Sequence, residues 1–278
     1  MFTIETVRYD DPDAPAAFAR SLRETGFAVL AGHPIGPERI EAAYAAWAAF
    51  FASPDKARFT RAPGSPEGFY PFASENAKGS PHKDLKEFFQ VYPDTALPEE
   101  VAGVTRALYD DLVAMGLTLL SWIEAETPAD VRARFRDPLP AMLRGSAMNM
   151  LRILHYPALD TPPEDGATRA AAHEDINLIT LLVAGSAPGL EARDREGAWH
   201  PVPCDPGMIV VNVGDMLALA SGGHYPSTTH RVVNPDPAAN RSRYSMPMFI
   251  HPRPEVELAP GRTADDYLKE RLREIGLA

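Results

Sequence analysis

The sequence predicts a mainly β protein with flanking helices: a core of short strands in the second half and a helical N-terminal region before it. Three observations carry this. From about residue 148 onward, short apolar runs containing β-branched residues recur between Gly, Pro and Asp clusters; this is the spacing of a sandwich or barrel, and a jelly roll fits the strand count. Upstream, apolar residues recur at helical spacing in several segments. The 28 prolines call for many fixed, non-helical connections, which suits loops around a β core.

Taken in order, a short strand over 3–9 opens the chain. Asp13-Ala14-Pro15 marks a helix start, with Asp as N-cap and Pro in the first turn; the apolar spacing of 16–24 continues it and Gly26 stops it. Phe27-Ala28-Val29-Leu30 reads as a strand. Pro37 opens a second helix through 51, whose Tyr44, Trp47, Phe50 and Phe51 are core residues. Residues 60–80 form a loop rich in Gly, Pro and Ser, of a length often tied to function. A short strand or turn element follows over 84–91, then a long helix over 101–125 with Val104, Leu108, Leu112, Met115, Leu119 and Trp122 as its apolar positions. Pro128 begins another helix over 129–135, which Pro138 and Pro140 stop. Strands are expected over 148–156, 175–183, 189–194, 199–202, 208–213, 231–233 and 243–251, with an amphipathic closing helix over 264–275.

The central stretch is Ala172-His173-Glu174-Asp175-Ile176-Asn177-Leu178-Ile179-Thr180. Read as a strand, it puts His173 and Asp175 on one side and Glu174 on the other, because strand side chains alternate. One distant His would complete a 2-His-1-carboxylate facial triad, the set that holds non-haem Fe(II) with coordination positions left open. His230, in Ser227-Thr228-Thr229-His230-Arg231-Val232-Val233, is the third ligand expected. Alone, an H-x-D pair in a chain with eight His is weak, and a surface hydrogen bond is its plain reading.

A second signal lies in Arg243-Tyr244-Ser245-Met246-Pro247-Met248-Phe249. Period two puts Arg243, Ser245, Pro247 and Phe249 on one face and Tyr244, Met246 and Met248 on the other. An Arg with a hydroxyl two residues on, facing a barrel interior, suits a carboxylate; the competing reading is an internal salt bridge to Asp or Glu. Tyr156, on the strand that also carries Arg152 and Leu154, would set a phenol beside the same carboxylate. His155 falls on the opposite face and reads as structural.

A net charge of −11 argues against a nucleic-acid or anionic-membrane partner, and no apolar run approaches the length of a bilayer span. The single cysteine, Cys204, excludes an internal disulfide framework and Cys-rich metal sites. The first residues lack a charged region followed by an apolar one, so a soluble, cytoplasmic protein acting on a small molecule is expected. Nothing sets an oligomeric state.

These pieces together resemble the isopenicillin N synthase-like branch of the Fe(II)/2-oxoglutarate-dependent oxygenases over nearly the whole chain. The resemblance rests on Glu24-Thr25-Gly26-Phe27-Ala28-Val29-Leu30-Ala31-Gly32-His33, on Glu67-Gly68-Phe69-Tyr70-Pro71 with Asp84-Leu85-Lys86-Glu87, on His173-x-Asp175, on Val213-Gly214-Asp215-Met216-Leu217, on Ser227-Thr228-Thr229-His230-Arg231-Val232 and on Arg243-Tyr244-Ser245. It implies a double-stranded β-helix (jelly-roll) core, with an N-terminal region over 1–100 and helices plus the catalytic core over 101–278 forming one compact unit. It implies Fe(II) on His173, Asp175 and His230. The far carboxylate of 2-oxoglutarate would meet Arg243, Ser245 and Tyr156, and Phe249 would form an apolar wall of the substrate pocket. With O2, 2-oxoglutarate is oxidatively decarboxylated to succinate and CO2 while the substrate is hydroxylated or otherwise oxidised.

The sequence departs from the family pattern in places. Leu154 stands where many members have Asn, and Arg243 follows His230 after a longer turn, which makes Arg241 a competitor for the clamp. Asp215 reads as a turn residue. The loop over 60–80, the region of Asn177 and the Ser221-Gly222-Gly223-His224-Tyr225 turn are the segments expected to set specificity. Two other readings stand beside the dioxygenase: an oxidase using Fe(II) and O2 without 2-oxoglutarate, and a non-catalytic ligand-binding member.

Overall fold

The structure is a computed structural model that describes residues 2–75, 82–159, 161, 163–203 and 205–274. Cys204, the last part of the 60–80 loop and the end of the expected tail helix lie outside them. In chain order the elements are β1 (Thr6–Arg8), α1 (Ala14–Thr25), β2 (Phe27–Ala31), α2 (Pro37–Ala52), a 3₁₀ turn (Pro54–Phe59), β3 (Gly68–Tyr70), β4 (Glu87–Val91), α3 (Glu99–Glu126), α4 (Ala129–Arg132) and α5 (Leu139–Leu143). There follow β5 (Met150–Tyr156), β6 (Ala170–His173), β7 (Ile179–Val183), β8 (Leu190–Arg193), β9 (Trp199–Pro201), β10 (Ile209–Val213), α6 (Asp215–Ala220), β11 (His230–Val232), β12 (Arg243–Ile250), β13 (Glu257–Ala259), β14 (Arg262–Thr263) and α7 (Ala264–Glu274).

Two sheets face each other. The larger has eight strands in the order β1-β2-β10-β7-β12-β5-β4-β3; the smaller has four, β6-β11-β8-β9. Strand alternation sorts the large sheet's side chains into two cores. Ile179, Leu181 and Val183 of β7, Leu151 and Ile153 of β5, and Met246, Met248 and Ile250 of β12 point outward into a core shared with Phe18 and Leu22 of α1, Trp47 and Phe50 of α2, and Leu112 and Leu119 of α3. Tyr156 and Leu154 of β5, Leu182 of β7 and Val210 of β10 point inward, against Ala170, Leu190, Ala192 and Val232 of the small sheet. The strand-rich core with N-terminal helices expected from the sequence is present.

The N-terminal region frames this core. Gly26 ends α1 in a left-handed conformation (φ 74°) with its N–H bonded to Leu22 O at 2.8 Å, the backbone state that favours Gly. A Cβ there would lie 2.2 Å from Thr228 Oγ1, so Gly26 also admits the loop that leads to His230. β1 and β2 extend the large sheet at one end, and β3 and β4 at the other.

Four local expectations change. Ala170–His173 is a strand that its alanines conceal, formed because β11 pairs with it. The strand expected over 175–183 begins only at Ile179; the chain leaves the small sheet after His173 and turns before joining the large one. Pro140 does not stop a helix but sits in the first turn of α5, where a missing N–H costs nothing. Asp215 is not a turn residue but the first residue of α6, which Gly214 caps in extended conformation.

Gly214 has no room for a side chain: a Cβ would lie 2.2 Å from both Asn177 O and Asn177 Oδ1. Gly214→Ala is expected to cost about 1–3 kcal/mol through overpacking, roughly 2–4 °C of Tm for each kcal/mol in domains near this size. Thermal unfolding of the metal-free protein measures it.

Candidate active site

His173 ends β6 and His230 begins β11, and the two are direct partners in the antiparallel ladder. Register alone therefore puts their imidazoles side by side, with ring centroids 4.4 Å apart. Asp175 comes from the turn between the sheets, so its place beside His173 follows from the crossover and not from strand alternation. Its Oδ1 lies 3.8 Å from both His173 Nε2 and His230 Nε2. One donor atom from each of the three lies within 4.8 Å of the others.

Hydrogen bonds fix each group's orientation. His173 Nδ1–H donates to Ala171 O at 2.8 Å and His230 Nδ1–H to Thr228 O at 3.1 Å, which leaves both Nε2 lone pairs facing the centre. Asp175 Oδ2 accepts from Thr180 Oγ1 at 2.5 Å and Asn212 Nδ2 at 2.8 Å, so Oδ1 is the oxygen left free. Burial, reinforced by the neighbouring His230, pushes His173 down to about 4. Burial alone would raise the Asp175 carboxyl, but the two imidazoles and the bonds from Asn212 and Thr180 outweigh it and hold it below the usual range. The site offers two imidazole nitrogens and a carboxylate oxygen, a donor set that fits a divalent metal of the non-haem iron kind.

Arg243, at the start of β12, is 2% exposed and directly opposite Tyr156 of β5, which is also 2% exposed. Its guanidinium carbon is 5.2 Å from the Tyr156 ring centroid, and its Nε donates to Ala187 O at 2.9 Å. Gly185 makes the room: a Cβ there would lie 2.7 Å from Arg243 Nη2. Nη1 is buried with no hydrogen bond, and among the described residues no carboxylate lies within ion-pairing distance. The internal salt bridge that competed with the clamp is thus absent there. Ser245 is buried on the same face, opposite Leu154. Arg241 lies outside β12 and is exposed, so it is no rival to Arg243.

Phe249 lies on the same inner face, opposite Thr180, with the Arg152 guanidinium 5.7 Å from its ring centroid. Asn177, expected at the substrate pocket, is held inside the fold. It is fully buried, and its amide donates to Ile179 O at 3.1 Å and Thr180 Oγ1 at 2.9 Å, bracing the residue that grips Asp175. His155 is structural as expected: it stacks on Tyr244 at 4.6 Å and bonds Glu87 at 2.8 Å. Asp84 and Lys86 bond each other at 2.8 Å, and Asp84 Oδ1 accepts from the Ala171 N–H at 3.0 Å, so this motif pins β6.

Sequence reasoning missed three residues. Thr180 and Asn212 are ordinary strand residues until register brings them to Asp175. Arg169, 2% exposed just before β6, sits with its guanidinium carbon 5.9 Å from the Tyr156 ring centroid. An Arg in an otherwise small, apolar stretch ahead of His173 was the available signal.

Thr180→Val keeps the shape of β7 and removes one bond to Asp175; Fe(II) affinity is expected to fall about 10- to 100-fold, read by anaerobic metal titration with circular dichroism as the folding check. Burial also pushes His251 down to about 4. With His173 and His251 both below their ordinary 6.5, the unfolded chain binds more protons as pH falls. Their contribution is therefore present above pH 6.5 and lost toward pH 4. The urea midpoint of the metal-free protein should drop over that window, less steeply in His251→Gln.

Residues 147–252 match the 2OG-Fe(II) oxygenase superfamily, and residues 5–108 match the N-terminal region described for a non-haem dioxygenase in morphine synthesis. A 2-oxoglutarate-dependent dioxygenase from Monascus ruber is 30% identical over 90% of this chain and 84% of its own. The crystal structure of an oxygenase from Shewanella oneidensis superposes with a TM-score of 0.90 at 44% identity, covering 99% of this chain and 100% of the other. A 2OG-Fe(II) oxygenase family protein from Caulobacter crescentus gives 0.83 at 33% identity, covering 98% and 99%. The core is thus the double-stranded β-helix of these enzymes, and Fe(II) and 2-oxoglutarate are the cofactors that go with it. The chain belongs to the 2OG-Fe(II) oxygenase superfamily, in its isopenicillin N synthase-like branch, as a dioxygenase that oxidises a small molecule.

Proposed function

We propose that His173, Asp175 and His230 hold Fe(II), and that Arg243, Ser245 and Tyr156 take the far carboxylate of 2-oxoglutarate. Phe249 then forms an apolar wall where the small substrate is hydroxylated or undergoes a related oxidation. The observation that carries this reading is the orphaned Arg243 Nη1, buried beside Tyr156 on the inner face of the large sheet, which looks toward the small sheet that holds His173 and His230. A buried guanidinium without a resident carboxylate is matched to one that arrives with a ligand.

Bound Fe(II), with 2-oxoglutarate and O2, supplies the oxidising chemistry. The chain's own residues bind and orient. The Nδ1–H bonds to Ala171 O and Thr228 O keep both imidazoles in the ligating tautomer. Thr180 and Asn212 hold Asp175 to a single free oxygen. Arg243, braced by Ala187 O, fixes the far end of 2-oxoglutarate in a pocket walled by Tyr156 and Leu154. A cleft of about 330 Å³ lined in part by Arg61, Tyr70 and Glu75 gives the 60–80 loop a part in substrate approach.

Residues 1–100 serve in this reading as an extension of the catalytic unit over 101–278, since their strands lengthen the same sheet. No helix of the described residues is long and apolar enough to cross a membrane. The acidic balance favours a small-molecule partner over nucleic acid, and a chain with one cysteine suits the cytoplasm.

Anaerobic titration of the Fe(II)-loaded protein with 2-oxoglutarate, followed by the visible charge-transfer band of the chelate, tests this without knowledge of the substrate. The wild-type chain should give a saturable band. His173→Ala should give none. Arg243→Met should raise the half-saturating concentration about 30-fold or more, the loss of roughly 2 kcal/mol from a buried charge pair. An unchanged curve for Arg243→Met would place the clamp elsewhere.

A further inference from the structure

Arg169, just ahead of β6 of the small sheet, and Arg243, on β12 of the large sheet, end at the same tyrosine. Their guanidinium carbons are 5.9 Å and 5.2 Å from the Tyr156 ring centroid, and both residues are 2% exposed. Arg169 Nη2 donates to Arg241 O at 2.6 Å. That bond occupies one of five N–H donors and requires no charge. Among the described residues neither guanidinium has a carboxylate within 4.0 Å. Burial, followed by repulsion from Arg243, holds the Arg169 pKa below its ordinary value. Two buried cations side by side with no anion are unfavourable unless a ligand supplies the negative charge.

We propose that Arg169 is a second cationic arm of the 2-oxoglutarate pocket, and that it clamps the far carboxylate jointly with Arg243. The proposal rests on the assignment of that carboxylate to Arg243, Ser245 and Tyr156. A carboxylate has about four lone-pair sites, enough for both guanidinium groups together with the Ser245 and Tyr156 hydroxyls. A pocket with two positive charges selects a dianionic oxo acid over a monoanionic one, and it retains affinity for succinate, which keeps the same carboxylate.

The test is the anaerobic chelate titration of the full Fe(II)-loaded chain with 2-oxoglutarate, run on wild type, Arg169→Met, Arg169→Gln, Arg169→Lys and Arg243→Met. Iron content and circular dichroism are checked for each. Arg169→Met should weaken 2-oxoglutarate at least tenfold at unchanged iron content, and Arg169→Lys, which keeps the charge and is the gentler change, should recover part of the loss. Succinate, competing for the band, should weaken in parallel. Wild-type affinity in Arg169→Met beside a weakened Arg243→Met overturns the second arm alone. Loss of iron or of fold in Arg169→Met, with wild-type 2-oxoglutarate affinity in Arg169→Gln, also overturns it, by making Arg169 a structural tie to Arg241. A wild-type chain that holds iron but gives no band overturns the pocket assignment and the second arm together.

Discussion

Asp175 is held through one oxygen, by Thr180 on β7 and Asn212 on β10, and its other oxygen is left equidistant from two imidazoles. That grip depends on the large sheet being in register, since Thr180 and Asn212 are direct ladder partners. It depends in turn on Asn177, whose amide fixes Thr180, and on Gly214, which lets Asn177 close in. The imidazoles depend on a second register, that of β6 against β11. A carboxylate placed by one sheet and two histidines placed by the other meet only if both sheets are correctly formed and correctly apposed.

The inner face of the large sheet is arranged as a gradient along each strand. At one end of β12, Arg243 and Ser245 sit opposite Tyr156 and Leu154, with Arg169 close by. At the other end Phe249 lies across from Thr180 and near Arg152. The surroundings of Arg243 and the end that carries Phe249 are therefore set apart by the rise of a strand, about 3.3 Å per residue, on a sheet whose other face packs against α1, α2 and α3. Adjacent residues face opposite ways: Tyr156 points in between the two sheets, while His155 stacks on Tyr244 on the outer face.

Much of this was legible in the sequence because it rests on period-two alternation or on chain punctuation. The face of β12, the structural role of His155, Gly26 as a helix stop and His230 at the start of a strand all follow from local pattern. What was not legible depends on partners far away in sequence. Ala170–His173 has no strand propensity of its own and is made a strand by β11. Thr180 and Asn212 acquire their role from cross-strand register, and Arg169 from the meeting of two sheets. Asn177 stands near the ligands in sequence, but that its amide braces Thr180 follows only from how the chain turns between the sheets.

The crossover from β6 to β7, residues 174–178, is one of the chain segments that pass between the two sheets, and it is the one that carries Asp175. An ion bound to all three side chains would add a further fastening at that point, tying β6 and β11 to the strands that anchor Asp175. Metal occupancy would then bear on mechanical integrity as well as on chemistry: a bound ion would tie the two layers where the three side chains meet, in addition to the chain segments and packing that already join them.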